Sequence, residues 1–155
     1  MIYVDIDGVV ADFNSACVKY TGDTYRKENW EILDKISGLF YTLDVLPGAR
    51  QGINRLAREI PCGYEYLGAP PLPTGTLVTA QQDKVRWIRE VFQDFYAQVN
   101  LVSSRHYKKH WCRSKHDILV DDMHDNIQQW ELAGGIGILH KDWNSTINQL
   151  KEIYK

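Results

Sequence analysis

The stretch "MIYVDIDGVVADF" (1–13) decides how the rest of the chain is read. An apolar run at 2–6 is interrupted by two aspartates, Asp5 and Asp7, with Gly8 directly after them. A short run of this kind predicts a strand buried on both faces. Carboxylates at its end either close the strand at the surface or stand at a functional site. Along an extended chain side chains alternate, so positions 5 and 7 share a side while the chain remains extended.

Downstream, strand-like and helix-like segments alternate. Residues 9–22 predict a helix ended by Gly22. Residues 23–46 carry aromatics and charge without a strand signal and suggest a small helical insertion with Tyr25, Trp30, Phe40 and Tyr41. Helices are expected at 47–60, where Pro47 suits a first turn, and at 79–96, where Val85, Ile88, Val91 and Phe92 form one stripe. Further helices are expected at 126–135, stopped by Gly134-Gly135, and at 143–154. Strands are expected at 64–67, 99–102, 117–120 and 136–139, and residues 103–116 read as basic and irregular. Trp87 and Trp130 lie on amphipathic helices and read as core. This alternation predicts an α/β fold: a three-layer, Rossmann-like parallel sheet of about five strands, with helices on both faces and right-handed crossovers.

At 155 residues the chain has the length of one domain. Its 44% hydrophobic and 25% charged residues are ordinary for a globular protein. A net charge of −2 gives no reason to expect a polyanion partner. No apolar run is long enough to span a bilayer, and the aspartates interrupt the N-terminal run too early for a signal peptide. Three scattered cysteines, Cys17, Cys62 and Cys112, suit free thiols in a reducing cytoplasm, which is the expected location. Without a secretion signal, the glycosylation-like triplet Asn144-Ser145-Thr146 carries no meaning.

In open parallel sheets the ligand site lies beyond the carboxyl ends of the strands. The first strand delivers Asp5, Asp7 and Gly8. The second delivers Gly68, Ala69 and Pro70. The third delivers Ser103, Ser104 and Arg105, with Lys108 and Lys109 behind them. The fourth delivers Asp121 and Asp122, and the fifth His140 and Lys141. Four carboxylates on one rim repel one another. A divalent cation resolves this, and an oxygen-only ligand set favours Mg²⁺ sharing its shell with a substrate phosphate. His106, His110, Cys112 and His116 are spaced unlike any zinc motif.

The segments "DIDGVVADF" and "ILVDD" resemble the first and fourth motifs of the haloacid dehalogenase-like hydrolase superfamily. Within it, "ADF" at 11–13, "LDVLPGA" at 43–49, "DKVRWI" at 83–88 and "ILVDDMHDNIQQWELAGGIGILH" at 118–140 are similar to the 5′(3′)-deoxyribonucleotidases and their phage and bacterial relatives. The resemblance covers nearly the whole chain. It implies a single hydrolase domain, 1–155, with a small helical cap at about 14–46. It also implies a phosphomonoesterase with Asp5 as nucleophile and Asp7 as acid and base. Mg²⁺ would be held by Asp5, the Asp7 carbonyl and Asp122, with Asp121 in support. The lysine of the third motif fits Lys108 best and Lys109 next, and Arg105 is a further phosphate ligand. The chain departs from the second motif: Gly68 stands where a Thr or Ser hydroxyl is usual, and backbone N–H groups of Gly68 or Ala69 are the expected substitutes. Phe13 and Phe40 are candidates to stack on a base, although Trp30, Phe40 and Tyr41 equally suit the cap's own core.

The expected partner is a small phosphorylated substrate, by the resemblance a (deoxy)nucleoside 5′-monophosphate, with room for a homodimer. Neither a membrane nor an extended nucleic acid is expected. Rival expectations keep the site but change the substrate to another phosphoester or a polynucleotide end, or describe a degenerate nucleotide-binding member with little turnover.

Overall fold

Alternation along the strands sets the layers. Ile2, Val4, Tyr66, Ile118, Val120 and Ile138 point to one side and join the larger apolar cluster; Tyr3, Leu67 and Leu119 point to the other and meet Ile127 and Trp130. The computed structural model describes residues 1–73 and 75–155. Its strands are β1 (Ile2–Val4), β2 (Tyr64–Gly68), β3 (Val99–Leu101), β4 (Ile118–Asp121) and β5 (Ile136–Leu139). They pair in parallel in the order β3-β2-β1-β4-β5. The helices are α1 (Phe13–Thr21), α2 (Trp30–Leu33), α3 (Ala49–Glu59), α4 (Ala80–Phe92), α5 (His124–Leu132) and α6 (Trp143–Ile153). Residues of α3, α4 and α6 pack in the larger cluster, and α5 covers the opposite face, so the expected three-layer α/β fold is present. Trp87 and Trp130 are core residues, as expected. Among the described residues no helix is long and apolar enough to cross a membrane.

The largest departure from the sequence reading follows β1. The helix expected from Val9 starts only at Phe13. Residues 6–11 wind into a tight loop in which the N–H groups of Val10 and Ala11 both donate to the Ile6 carbonyl, each at 2.9 Å. Gly8 sits in this loop at φ 82°, a conformation that strains any residue with a Cβ. Asp12 then caps α1, accepting from the Ser15 N–H at 2.9 Å. An apolar pattern alone does not separate buried loop from helix, and Val9, Val10 and Ala11 are fully buried here. Residues 103–116, expected to be irregular, contain a 3-10 helix at Arg105–Trp111. On α4 the buried stripe runs through Ala80, Lys84, Trp87 and Ile88, with Val85 only half-buried.

Residues 13–44 leave and return at one point. The Asp12 N–H donates to the Asp44 carbonyl at 2.8 Å and the Leu46 N–H to the Val10 carbonyl at 2.9 Å. Between these clamps lie α1, α2 and the 3-10 helices Lys27–Asn29 and Leu39–Tyr41. The segment docks on α4: the Trp87 indole donates to the Leu43 carbonyl at 2.8 Å, and the Tyr41 hydroxyl meets Glu90 at 2.6 Å. Its interior is aromatic. Phe13 stacks on Phe40 with ring centroids 5.7 Å apart and on Trp30 at 5.8 Å.

Candidate active site

Register places Asp5 beside Asp121. Val4 pairs with Val120, and the Asp5 N–H continues the ladder to the Val120 carbonyl at 2.9 Å. Both carboxylates extend the alternation that points Tyr3 and Leu119 to the α5 face. The 3-10 helix Arg105–Trp111 delivers Lys108 to the same place. Lys108 is 2% exposed, and its ammonium lies 2.7 Å from Asp5 Oδ1 and 2.7 Å from Asp121 Oδ2. Asp121, with no exposed surface, also accepts from the Met123 N–H at 2.9 Å and from the Asn126 amide at 3.0 Å on each oxygen. Its hydrogen-bonding capacity is therefore spent on holding Lys108 and the turn into α5. Burial disfavours the Lys108 ammonium, but the two carboxylates outweigh it and its pKa is raised. Burial, then the Asp121 charge, pushes the Asp5 carboxyl well above the usual range against the pull of Lys108.

Asp122 differs from Asp121 in having no ion pair among the described residues. Its carboxylate lies against Gly8: a Cβ at position 8 would stand 2.2 Å from Asp122 Oδ2, so the glycine both turns the loop and makes room for the acid. Asp122 as a residue is exposed, but its carboxylate is partly desolvated against the Gly8 loop, and this, then the Asp121 charge, raises its pKa to about 6. Oxygens of Asp5, Asp121 and Asp122 lie within 4.8 Å of one another. Among the described residues Asp5, Asp7, Asp121 and Asp122 meet two buried ammoniums, Lys84 and Lys108, so with all four ionised two negative charges are uncompensated. An all-oxygen set with that deficit fits a hard divalent cation such as Mg²⁺.

A pH dependence follows. The Asp122 carboxyl is raised in the folded state, so that state binds more protons than the unfolded chain between about pH 4 and 6, and stability falls as pH rises through this window. A cation that binds the ionised form reverses the loss. The rise in Tm on adding MgCl₂ is expected to be large at about pH 7.5 and to shrink at about pH 5. Equal rises at both pH values in a thermal melt would contradict it.

Asp7 stands apart from the Lys108 cluster, although its charge acts on both Asp5 and Asp122. Its Oδ2 pairs with Lys84, and its Oδ1 is buried with no hydrogen-bond partner among the described residues. Lys84 is 1% exposed, and its ammonium sits 4.2 Å from the centroid of the Phe40 ring. The sequence reading did not single out Lys84 as a site residue. The available signal was its position: Ala80, Lys84, Trp87, Ile88 and Val91 are spaced as one apolar helix face with a single cation in it. Asn126 was missed as well, being one polar residue among several at the start of α5.

Lys109 is exposed and makes no ion pair among the described residues, whereas Lys108 is buried between the acids. Arg105 is 4.0 Å from Asp125 on the exposed start of α5 rather than paired with the buried carboxylates. Phe40 is 2% exposed, stacked on Phe13 and covered by Lys84, which places it in the interior of the insert and not on a surface open to a base. Phe13 is half-buried. Gly68 closes β2, and Ala69 follows it. A Cβ at Gly68 would stand 2.8 Å from Ile6 Cδ1 and 3.3 Å from Leu101 Cδ2, so a side chain there grows into packed apolar atoms.

No protein-family model and no curated protein sequence matches the chain. Solved structures do match. One is D,D-heptose 1,7-bisphosphate phosphatase from Burkholderia thailandensis, with a TM-score of 0.55, 12% identity and 97% of each chain covered. Another is a hydrolase from Streptococcus pneumoniae, with a TM-score of 0.53, 9% identity and 97% of each chain covered. At these identities the likeness is one of fold, and the five-stranded parallel α/β architecture is the one these hydrolases share with the chain.

Proposed function

We propose that this chain is a phosphomonoesterase of the haloacid dehalogenase-like superfamily, acting through Asp5 on a small phosphomonoester, with a (deoxy)nucleoside 5′-monophosphate as the substrate class. The observation that carries the reading is the buried Asp5–Lys108–Asp121 arrangement with Asp122 left unpaired beside it. It supplies an oriented carboxylate, a fixed cation and a carboxylate without an ion-pair partner that suits a divalent cation, which together suit a phosphoryl group. The fold shared with a phosphatase and a hydrolase supports the same class.

In this reading Asp7 takes up a proton from solvent while its Oδ2 stays on Lys84; an Asp5 oxygen then attacks phosphorus, the bond from phosphorus to the ester oxygen breaks, and Asp7 gives that oxygen its proton. Asp7 then takes a proton from water, whose oxygen attacks the phosphoryl group and releases Asp5. Lys108 holds the Asp5 carboxylate in place and balances the charge that gathers beside it. Asp121 and Asn126 hold Lys108 in turn. When bound by Asp5, Asp122 and the Asp7 carbonyl, Mg²⁺ supplies charge neutralisation for the phosphoryl oxygens. The insert at 14–46 acts as a cap, and the backbone N–H groups of Gly68 and Ala69, with Arg105 and Lys109 at the rim, are the proposed further phosphate contacts.

The test is a panel of phosphomonoesters, including deoxynucleoside and nucleoside 5′-monophosphates, sugar phosphates and a 5′-phosphorylated oligonucleotide, with MgCl₂ or with EDTA. Mg²⁺-dependent release of inorganic phosphate, fastest with the mononucleotides, is expected. Release only from the sugar phosphates or the oligonucleotide would move the substrate class, and no release from any of them would overturn the reading.

A further inference from the structure

We propose that Lys84 is a positioning residue for Asp7, and that its contact with Phe40 ties that carboxylate to the packing of the aromatic insert. The inference rests on the reading of Asp7 as the group that serves the leaving oxygen.

Three observations meet at one ammonium. Lys84 is almost wholly buried, and its one hydrogen-bond partner among the described residues is Asp7 Oδ2. A buried cation is costly unless paired, so the side chain is held where Asp7 is. Beyond that contact the ammonium lies over the Phe40 ring, at 4.2 Å from its centroid, where the negative face of the ring favours it. Phe40 is itself fixed by Phe13 and lies among the buried residues of the insert. The remaining oxygen of Asp7 is the one without a partner among the described residues. Lys84 thus fixes one carboxylate oxygen, leaves the other buried without a partner among the described residues, and takes its own position from the insert and from α4. Loosening the insert at Phe40 should loosen Asp7.

Lys84→Met keeps the length and removes the charge. It is expected to lower kcat about tenfold to a hundredfold with KM nearly unchanged, since a misplaced group of this kind costs up to about a hundredfold. The rise in Tm with MgCl₂ should persist, because the Lys108 cluster is untouched. Phe40→Leu should lower kcat by a smaller factor, and Phe40→Leu/Lys84→Met should be no worse than Lys84→Met alone. Lys84→Arg, which keeps the charge, should retain more activity than Lys84→Met. Wild-type kcat in Lys84→Met, a loss confined to KM, or effects of Phe40→Leu and Lys84→Met that multiply would each overturn the proposal.

If wild-type protein releases no phosphate from any substrate, the phosphatase reading fails, and a thermal cycle still decides the pairing. The loss of Tm in Asp7→Asn/Lys84→Met should be smaller than the two single losses added, and simple addition would overturn it.

Discussion

Asp5→Asn is expected to lower phosphate release by at least about a thousandfold in kcat, because an amide oxygen is a poor nucleophile and the residue is the one that bonds to phosphorus. The same substitution should leave Tm unchanged or raised at neutral pH. Burial and the Asp121 charge push the Asp5 carboxyl upward, so its ionised form weakens the fold as pH rises. Asparagine removes that charge, and Lys108 retains Asp121 as its partner. Function and stability therefore move apart at this position, as is usual where a charged group is held for chemistry. Steady-state phosphate release and a thermal melt on the same preparation check both halves. Undiminished release would remove Asp5 from the chemistry, and a collapse of Tm would show that the carboxylate is needed for the fold.

Lys108→Met has the opposite signature. It leaves the Asp5 and Asp121 carboxylates buried side by side with their shared cation gone. Removing one partner of a buried pair costs about 3–5 kcal/mol. For a chain of this length that corresponds to a drop in Tm of roughly 6–20 °C. Activity should fall with it. Lys108→Met/Asp121→Asn should recover part of the stability, since the second substitution removes one of the stranded charges, but none of the activity. A Tm within about 2 °C of wild type for Lys108→Met would mean the cluster is solvated rather than buried. The corresponding change at Lys109, an exposed residue, should leave Tm nearly unmoved.

How far the sequence reaches can be followed residue by residue. The parallel sheet was legible because each strand is an apolar run bounded by turns, and because the site of an open α/β sheet follows from topology. That rule alone gathered Asp5, Asp7, Asp121 and Asp122 on one rim. The sequence ranked Lys108 ahead of Lys109 by motif resemblance alone; the physical reason is the winding of the 3-10 helix at Arg105–Trp111, which turns Lys108 inward and leaves Lys109 exposed. Lys84 escaped because it lies in sequence far from every strand end, and its partner is reached across the fold from α4. Phe40 was read two ways, and packing decided for the interior. The helix start was misplaced for a local reason: the buried loop at 6–11 has the apolar composition of a helix, and only the pairing of Gly8 with the Asp12 cap marks where the helix begins. Gly68, read in the sequence as standing where a hydroxyl is usual, closes β2 with Ile6 and Leu101 beside it, and a Cβ there would meet the movable end of Ile6 first.

The central claim is that Asp5 accepts the phosphoryl group while Asp7 serves the leaving oxygen and then the water. A substrate with a leaving group that needs no proton, p-nitrophenyl phosphate, separates the two steps. In Asp7→Asn with Mg²⁺ the first step should proceed and the second should stall. The expected result is a burst of nitrophenol of about one per protein chain, with the phosphoryl group recovered on Asp5 by mass spectrometry after acid quench. Steady turnover by the wild type, with no burst in Asp7→Asn and no phosphoryl group on Asp5, would contradict it.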